Sequence, residues 1–298
     1  MKVGMMLNLS ADPGEDAPSY REVREHALAA EAAGLDSVWV YDHLIFRFPP
    51  DYASGDIREV MTTWAALGEA TSRIELGAMV VCTAFRNPAI LAKMAAELDH
   101  VSEGRITLGL GCGWHQPEFD AFGIGFDNVV DKFEEALQIV VPLIRGESAV
   151  TFEGTHYRTA NAELRPRPWR ADMPVLIASF KPRMLRLTAR YADAWNTAWI
   201  GDAAVFTERV AELRAACDEV GRDIAEIALT AGVSVEVGEP ASDRSDEDRR
   251  GSLRGGVAEI AEGLQGFKDA GCAHVIASLN AVNAETIETL ARAAEQMR

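Results

Sequence analysis

The chain has 298 residues, 48% of them hydrophobic and 25% charged, which is the ordinary balance of a globular protein. Its 46 acidic and 29 basic residues give a formal net charge of −17, and this argues against a nucleic-acid or anionic-membrane surface because both need a basic face. The four cysteines lack CxxC spacing, and we expect neither a signal peptide nor a membrane-spanning segment. We therefore expect a reduced, cytoplasmic protein.

One pattern recurs along the chain: an amphipathic helix, a glycine or turn, and then a short apolar strand. The first helix begins at Ser19, a favoured N-cap that forms a capping box with Glu22, and it ends before Gly34. A later helix begins at Asn87 with Pro88 at its first position. The pattern therefore predicts helices that alternate with buried strands.

We predict eight strands, near residues 2–9, 36–42, 74–81, 105–111, 174–178, 194–197, 227–236 and 273–279. Strands that alternate with helices form parallel sheets, and eight units in about 300 residues favour a closed (β/α)8 TIM barrel over an open sheet. Neither a GxGxxG after the first strand nor a phosphate-binding P-loop is present. We expect one domain over residues 1–298, with insertions near 146–170, after strand 4, and near 238–256, after strand 7. Residues 151–157 in the first insertion predict a hairpin.

Active sites of TIM barrels lie at the carboxyl ends of the strands, so the residues at those ends are the candidates. The pair Asp42-His43 ends strand 2, and a histidine there can move a proton in either direction. The structural alternative is a polar pair that only solvates the strand end.

The segment Ser179-Phe180-Lys181-Pro182 lies between strand 5 and a helix that Pro182 begins. Backbone N–H groups at a helix start, a hydroxyl and an ammonium group together favour phosphate binding, and Arg183 and Arg186 add positive charge. An ordinary N-cap with a solvated basic first turn is the equal alternative.

Alternating glycines mark strand 4, at Gly109, Gly111 and Gly113. Such positions either let a flat ligand approach the backbone or allow tight packing inside the barrel, and both interpretations stay open. Trp114, Trp195 and Phe180 are candidate walls of an apolar pocket. Trp39, in the middle of a strand, is expected in the core.

Metal and covalent chemistry find little support in this sequence. None of the six histidines forms HxH or HExxH, and no GxSxG nucleophile motif is present. Lys181 is better placed to bind an anion than to form a Schiff base. Chemistry supplied by an organic cofactor is therefore the expectation.

Five segments now resemble, in order, the bacterial-luciferase-like oxidoreductases, and in particular their deazaflavin branch. They are AAGLDSVWVYDHL (32–44), IELGAMV (74–80), RNPAILAK (86–93), SEGRITLGLGCGW (102–114) and LTARYADAWN (187–196). The resemblance covers residues 1 to about 200 and implies a (β/α)8 barrel that binds coenzyme F420 or, alternatively, FMN.

The resemblance also implies roles for individual residues. Asp42 and His43 would lie by the edge of the cofactor ring, and Met79-Val80 match a strand bulge that often holds a non-prolyl cis peptide behind the ring. Cys112 and Gly113 match positions near the side chain of the cofactor. The phosphate of the cofactor would bind at the matching residues Ala178, Ser179 and Lys181.

In two places the sequence departs from the family pattern. Some deazaflavin enzymes have a glutamate acid where this chain has Trp114, which removes one proton donor and disfavours a sugar-phosphate substrate. The phosphate-binding segment is usually richer in glycine than Phe180-Lys181.

These observations give one functional hypothesis and two alternatives. The hypothesis is an oxidoreductase that transfers a hydride between F420 and a small organic substrate, with His43 moving the proton, Asp42 as its partner and Trp114 as a pocket wall. The alternatives are an FMN-dependent monooxygenase that uses reduced flavin and oxygen, and a non-catalytic flavin-binding protein. Met61, Trp64 and Leu67 either supply a homodimer surface or belong to the core.

Overall fold

The computed structural model describes residues 1–49, 53–238 and 251–298. Its strands are β1 (Lys2–Met6), β2 (Ser37–Val40), β3 (Phe46–Arg47), β4 (Ser54–Gly55), β5 (Glu75–Ala78), β6 (Val81–Cys82), β7 (Ile106–Gly111), β8 (Val150–Glu153), β9 (Arg158–Ala162), β10 (Val175–Ala178), β11 (Ala194–Ile200), β12 (Ala228–Val237), β13 (Ser252–Gly255) and β14 (His274–Leu279). Its α-helices are α1 (Tyr20–Ala32), α2 (Val60–Ala70), α3 (Pro88–Val101), α4 (Gln116–Ala121), α5 (Val129–Ile144), α6 (Pro182–Tyr191), α7 (Ala203–Val220), α8 (Val257–Asp269) and α9 (Ala284–Met297). Within these described residues, each helix is too short or too polar to cross a bilayer.

Eight parallel strands close into a barrel in the order β1-β2-β5-β7-β10-β11-β12-β14. The ring closes where β14 pairs with β1, with Val3 opposite Val275. Each barrel strand overlaps one of the eight predicted strands, so the predicted TIM barrel is confirmed. All eight carboxyl ends therefore meet at one face of the barrel.

The predicted helix starts are also confirmed. The Ser19 hydroxyl accepts from the Glu22 backbone N–H, and the Glu22 carboxylate accepts from the Ser19 N–H, which completes the capping box. The Asn87 side chain caps α3, whose first residue is Pro88. Pro182 begins α6.

Two hydrophobic layers build the core. The larger lies between the barrel and its helices, and the smaller fills the barrel interior around Trp39 and Met79. Trp39 is thus in the core, as its position in the strand predicted. Met61, Trp64 and Leu67 are buried in the larger layer, so of the two alternatives for these residues the core is right.

The first predicted insertion lies in the connection from β7 to β10, after α5. It contains the predicted hairpin, formed by β8 and β9, and the Glu135 carboxylate on α5 accepts three backbone N–H bonds from its turn at 155–157. In the second insertion, β13 pairs in parallel with β12, and residues 239–250 lie outside the described residues.

Candidate active site

A cavity of about 420 Å³ opens at the carboxyl ends of the barrel strands. Its walls come from residues at or just after the ends of β1, β2, β5, β7, β11 and β14. The lining residues are Met6, Ser10, Tyr41, Asp42, His43, Phe46, Met79, Val80, Cys82, Gly113, Trp114, Glu118, Trp199 and Ser278. This is the position where TIM barrels place their active sites.

His43 is held in this cavity by a carboxylate that follows a different strand. Its Nδ1 atom lies 2.9 Å from Glu118 Oε1, and Glu118 Oε2 accepts the Leu44 backbone N–H at 2.8 Å. The His43 side chain is 14% exposed and that of Glu118 is 1% exposed. A carboxylate at Nδ1 fixes the ring orientation and leaves Nε2 as the nitrogen available to a bound molecule.

Asp42 is not the partner of His43, so that part of the prediction is wrong. Its carboxylate receives two bonds from the Arg86 guanidinium and one from the Cys82 backbone N–H at 3.0 Å. Burial raises the pKa of Asp42 and the Arg86 bonds oppose this. Burial also lowers the pKa of Arg86, but pairing with Asp42 and Glu59 outweighs it and raises that pKa. The carboxylate is therefore committed to fixing the chain after β5, although Asp42 still lines the cavity.

Tyr41, which precedes Asp42 in the sequence, joins the end of β2 to the chain after β1. Its hydroxyl accepts the Leu9 backbone N–H at 2.9 Å and lies 2.9 Å from Ser10 Oγ. Burial raises the pKa of the Tyr41 phenol. The hydroxyl is thus neutral near pH 7 and joins two walls of the cavity.

The bulge after β5 forms the apolar floor. The Met79–Val80 peptide bond is cis, which confirms what the resemblance implied for this segment. A Cβ at Gly109 would lie 1.7 Å from the Ala78 carbonyl oxygen, and one at Gly111 would lie 2.5 Å from the Val80 side chain. These two glycines therefore make room for the bulge, and the packing interpretation is right for them.

Aromatic side chains surround His43 and form the outer lip of the cavity. Trp114 is 62% exposed, and its ring centroid lies 5.6 Å from that of His43. Phe46 lies 4.4 Å from the His43 ring, and Phe48 stacks on both Phe46 and Trp114. The lip is therefore an apolar, partly exposed surface that leads from the catalytic histidine candidate to solvent.

Of the predicted pair Cys112-Gly113, only Gly113 lines the cavity. Gly113 has a φ of 86°, and a Cβ there would collide with Phe119 and with the Cys82 thiol. The Cys112 side chain packs against the core. Burial, followed by the charge of Asp42, raises the pKa of the Cys82 thiol, so that thiol is not a nucleophile at neutral pH.

The predicted phosphate segment lies outside this cavity, and several of its predicted donors already have partners within the protein. The Ser179 hydroxyl is buried and bonded to Thr188 Oγ1 at 2.8 Å, so it is not free for a ligand. Arg183 pairs with two α5 carboxylates and Arg186 with Glu219, so neither supplies unbalanced charge. What the segment offers is Lys181, which is exposed, and the start of α6, which has no side-chain cap. Ala178, the last residue of β10, is half-buried.

Sequence reasoning missed several residues that define the site. Glu118 lies in the first turn of a helix that Pro117 helps to begin, shortly after the end of predicted strand 4, and this proline was the available signal. Arg86 gave no signal, because its pairing with Asp42 joins elements 44 residues apart. Trp199 lines the cavity, whereas Trp195 is buried and Phe180 lies outside the lining set, so neither of those two forms the predicted wall. Within the described ranges, no three metal-ligating side chains converge.

With this geometry in place, the chain can be assigned to a family. It belongs to the luciferase-like monooxygenase family, whose pattern it matches over residues 1–296. This agrees with the resemblance that the sequence motifs carry.

Individual relatives narrow the comparison. The phthiodiolone/phenolphthiodiolone dimycocerosates ketoreductase of Mycobacterium bovis BCG is 30% identical over 223 residues, which is 69% of this chain and 58% of the relative. The F420-dependent glucose-6-phosphate dehydrogenase of Intrasporangium calvum is 34% identical over 180 residues, 59% of this chain and 53% of that enzyme. The chain thus spans less than two thirds of the length of these curated relatives.

Among solved structures, an F420-dependent secondary alcohol dehydrogenase with an F420–acetone adduct superimposes with a TM-score of 0.84. The match covers 100% of this chain and 99% of that one at 20% sequence identity. At this level of identity the likeness establishes the shared barrel fold.

Proposed function

We propose that this protein is a cytoplasmic oxidoreductase that transfers a hydride between coenzyme F420 and an organic substrate, at the cavity around His43. The observation that carries the proposal is the His43–Glu118 pair, which points a positioned proton carrier into a cavity with an apolar floor. The F420-dependent dehydrogenase of Intrasporangium calvum, 34% identical, supports the choice of cofactor.

The residues present fit a planar ring. The Met79-Val80 bulge offers an apolar surface, and glycines behind it allow the bulge to sit close to β7. His43, Tyr41 and Ser278 supply polar groups on the same cavity. Met79, Val80 and Gly113 would hold the ring, with Asp42 fixing the chain beside it. When bound, F420 supplies a ring carbon that accepts or donates a hydride.

A phosphate on the cofactor needs donors outside this cavity. The uncapped backbone N–H groups at the start of α6 and the Lys181 ammonium group are the donors that we assign to it. Ala178 would contribute backbone, and Ser179 would act through its bond to Thr188, which fixes the turn before the helix. Cys112 would contribute backbone near the cofactor side chain.

Oxidation of an alcohol or reduction of a carbonyl moves a proton as well as a hydride. His43 Nε2 would accept the proton from a substrate hydroxyl or return it to a carbonyl oxygen. Glu118 holds the imidazole through Nδ1 and is a positioning residue. Trp114 and Phe46, beside the His43 ring, would exclude water and form the substrate wall.

The test is an assay of the purified protein with F420 and simple secondary alcohols and ketones, in which the absorbance of the deazaflavin reports turnover. We expect turnover that consumes no oxygen and falls about 100-fold or more in His43→Ala. Because the family is named for monooxygenases, the alternative function is a monooxygenase that uses reduced FMN. Oxygen consumption with reduced FMN, and no turnover with F420, would overturn our proposal in favour of that alternative. Tight cofactor binding with no turnover of any substrate would instead indicate a binding protein.

A further inference from the structure

We propose that the substrate of this site is elongated, with its reacting end beside His43 and a remainder without negative charge in a second, larger cleft. The inference rests on the proposed function. It starts from a cleft of about 1230 Å³ that shares two lining residues, Ser10 and Phe46, with the 420 Å³ cavity. The two spaces therefore adjoin at these residues.

The volume of the cavity limits how much of a substrate it can hold. The 420 Å³ cavity lies at the small end of the range of ligand pockets, and it must take both the cofactor ring and the reacting end of the substrate. A substrate larger than a few carbon atoms must therefore extend beyond it. The larger cleft, which adjoins the cavity at Ser10 and Phe46, offers space for that remainder.

The charge of the larger cleft excludes the acidic tail of the cofactor from it. Asp12, Glu15, Asp16, Glu22 and Asp56 line the cleft, and they would repel the phosphate and carboxylates of that tail. The guanidinium of Arg58, also in the lining, is bonded to the carbonyl oxygens of Ala17 and Pro18.

The barrel geometry agrees with this exclusion. Much of the cleft is formed by residues that follow β1, whereas Lys181 and the start of α6 follow β10, four strands away in the ring of eight. The donors that suit the tail and the cleft are therefore on opposite sides of the barrel.

An aromatic surface lies where the cavity and the larger cleft adjoin. Phe46 lines both spaces, Phe48 lines the cleft, and Phe48 stacks on Trp114 at the lip of the cavity. Phe48 is 49% exposed, so an aromatic surface faces solvent at this point. Such a surface favours an apolar or cationic molecule. The substrate class that fits is therefore a secondary alcohol or ketone with an extended, non-anionic body.

The experiment uses butanone and three 4-aryl-2-butanones. The aryl ring is uncharged in the first, carries a carboxylate in the second and carries an ammonium group in the third. Calorimetry with the protein alone measures binding, and oxidation of reduced F420 measures turnover. We compare wild type with Asp12→Asn/Glu15→Gln/Asp16→Asn, which changes three exposed side chains of the cleft. The matched control, Glu208→Gln/Asp218→Asn/Glu262→Gln, removes the same charge from helices α7 and α8.

We expect the neutral aryl ketone to bind about tenfold more tightly than butanone, and the carboxylate about tenfold more weakly than the neutral compound at low salt. The carboxylate penalty should shrink to about threefold or less in the cleft variant and persist in the control. Equal affinity for the carboxylate and the neutral ketone, no gain from the longer body, or an equal response of both variants would overturn the inference. Binding with this selectivity but no F420 turnover would instead overturn the proposed function alone.

Discussion

The imidazole of His43, which follows β2, is fixed by Glu118, which lies on the helix after β7, through an Nδ1–Oε1 distance of 2.9 Å. The account makes His43 the proton carrier. His43→Ala should therefore lower turnover about 100-fold or more while F420 affinity changes by about threefold or less. Steady-state kinetics and a fluorescence titration measure the two quantities. His156→Ala, on the hairpin insertion, is the control and should match wild type. A variant at 43 that keeps more than half of the activity would exclude the role.

Glu118 acts through His43, so its loss should reduce kcat more than it changes KM. Glu118→Gln retains an acceptor for the Leu44 N–H, and we expect kcat to fall about tenfold with KM nearly constant. Glu118→Ala should also be less stable by about 1–3 kcal/mol, because the half-buried Leu44 N–H loses its partner. Rate measurements at saturating substrate and urea unfolding provide the readouts. An unchanged kcat with a raised KM would assign Glu118 to substrate binding instead.

Asp42 is expected to matter for stability more than for proton transfer. Asp42→Ala leaves the Arg86 guanidinium, which is 13% exposed, paired with Glu59 but without its bidentate partner, and should destabilise the fold by about 1–3 kcal/mol. Asp42→Asn keeps two acceptor lone pairs and should cost less while retaining turnover within about tenfold. Urea unfolding with Glu226→Gln as a control, which removes an exposed ion pair to Arg222, gives the comparison. Loss of turnover in a fully stable Asp42→Asn would contradict this assignment.

His274 predicts a pH dependence of stability. Burial lowers its pKa to about 3 in the folded barrel, where its Nε2 atom lies 2.8 Å from Ser37 Oγ. The unfolded chain, with a pKa near 6.5, binds the proton first, so acid favours unfolding between about pH 6.5 and 3. This group alone should remove about 2 kcal/mol between pH 7 and pH 5. Urea unfolding at both pH values should show a smaller difference for His274→Gln, and an identical difference would refute the assignment.

Gly109 is expected to be essential for the bulge that floors the cavity. In Gly109→Ala the new methyl group would meet the Ala78 carbonyl oxygen, so the strand and bulge must move, at a cost of about 3 kcal/mol or more and with weaker cofactor binding. Gly266→Ala, in α8, is the matched control. A Cβ there would lie 3.6 Å from the Ala203 Cβ, which is ordinary contact, so the substitution should stabilise α8 slightly. Thermal unfolding and F420 titration measure both effects. Normal cofactor binding by Gly109→Ala would show that the bulge does not contribute to the cofactor site.

The sequence predicted the barrel well because each strand and helix carries its own local signal. The capping box at Ser19 and the Asn87-Pro88 start depend on residues within one turn, and both are present. The apolar strands are short, continuous and buried, as parallel barrel strands require. The insertion hairpin was likewise visible as a local turn between β-prone residues.

The site was only partly predictable, because its bonds join distant segments. Asp42 and His43 are adjacent in sequence, and this suggested that they act as a pair, yet adjacent residues leave a strand in different directions. Their partners, Arg86 and Glu118, are 44 and 75 residues away. Ser179 has the residue type of a phosphate ligand, but its hydroxyl is bonded to the hydroxyl of Thr188, on the helix that follows it.

The most direct test of the central claim is a side-by-side titration of the purified protein with F420 and FMN, each oxidised and reduced, by fluorescence quenching or calorimetry. The account predicts F420 binding with a dissociation constant on the order of micromolar or tighter, negligible FMN binding, and a marked loss of F420 affinity in Gly109→Ala. Preferential binding of FMN, or no binding of either cofactor, would contradict it.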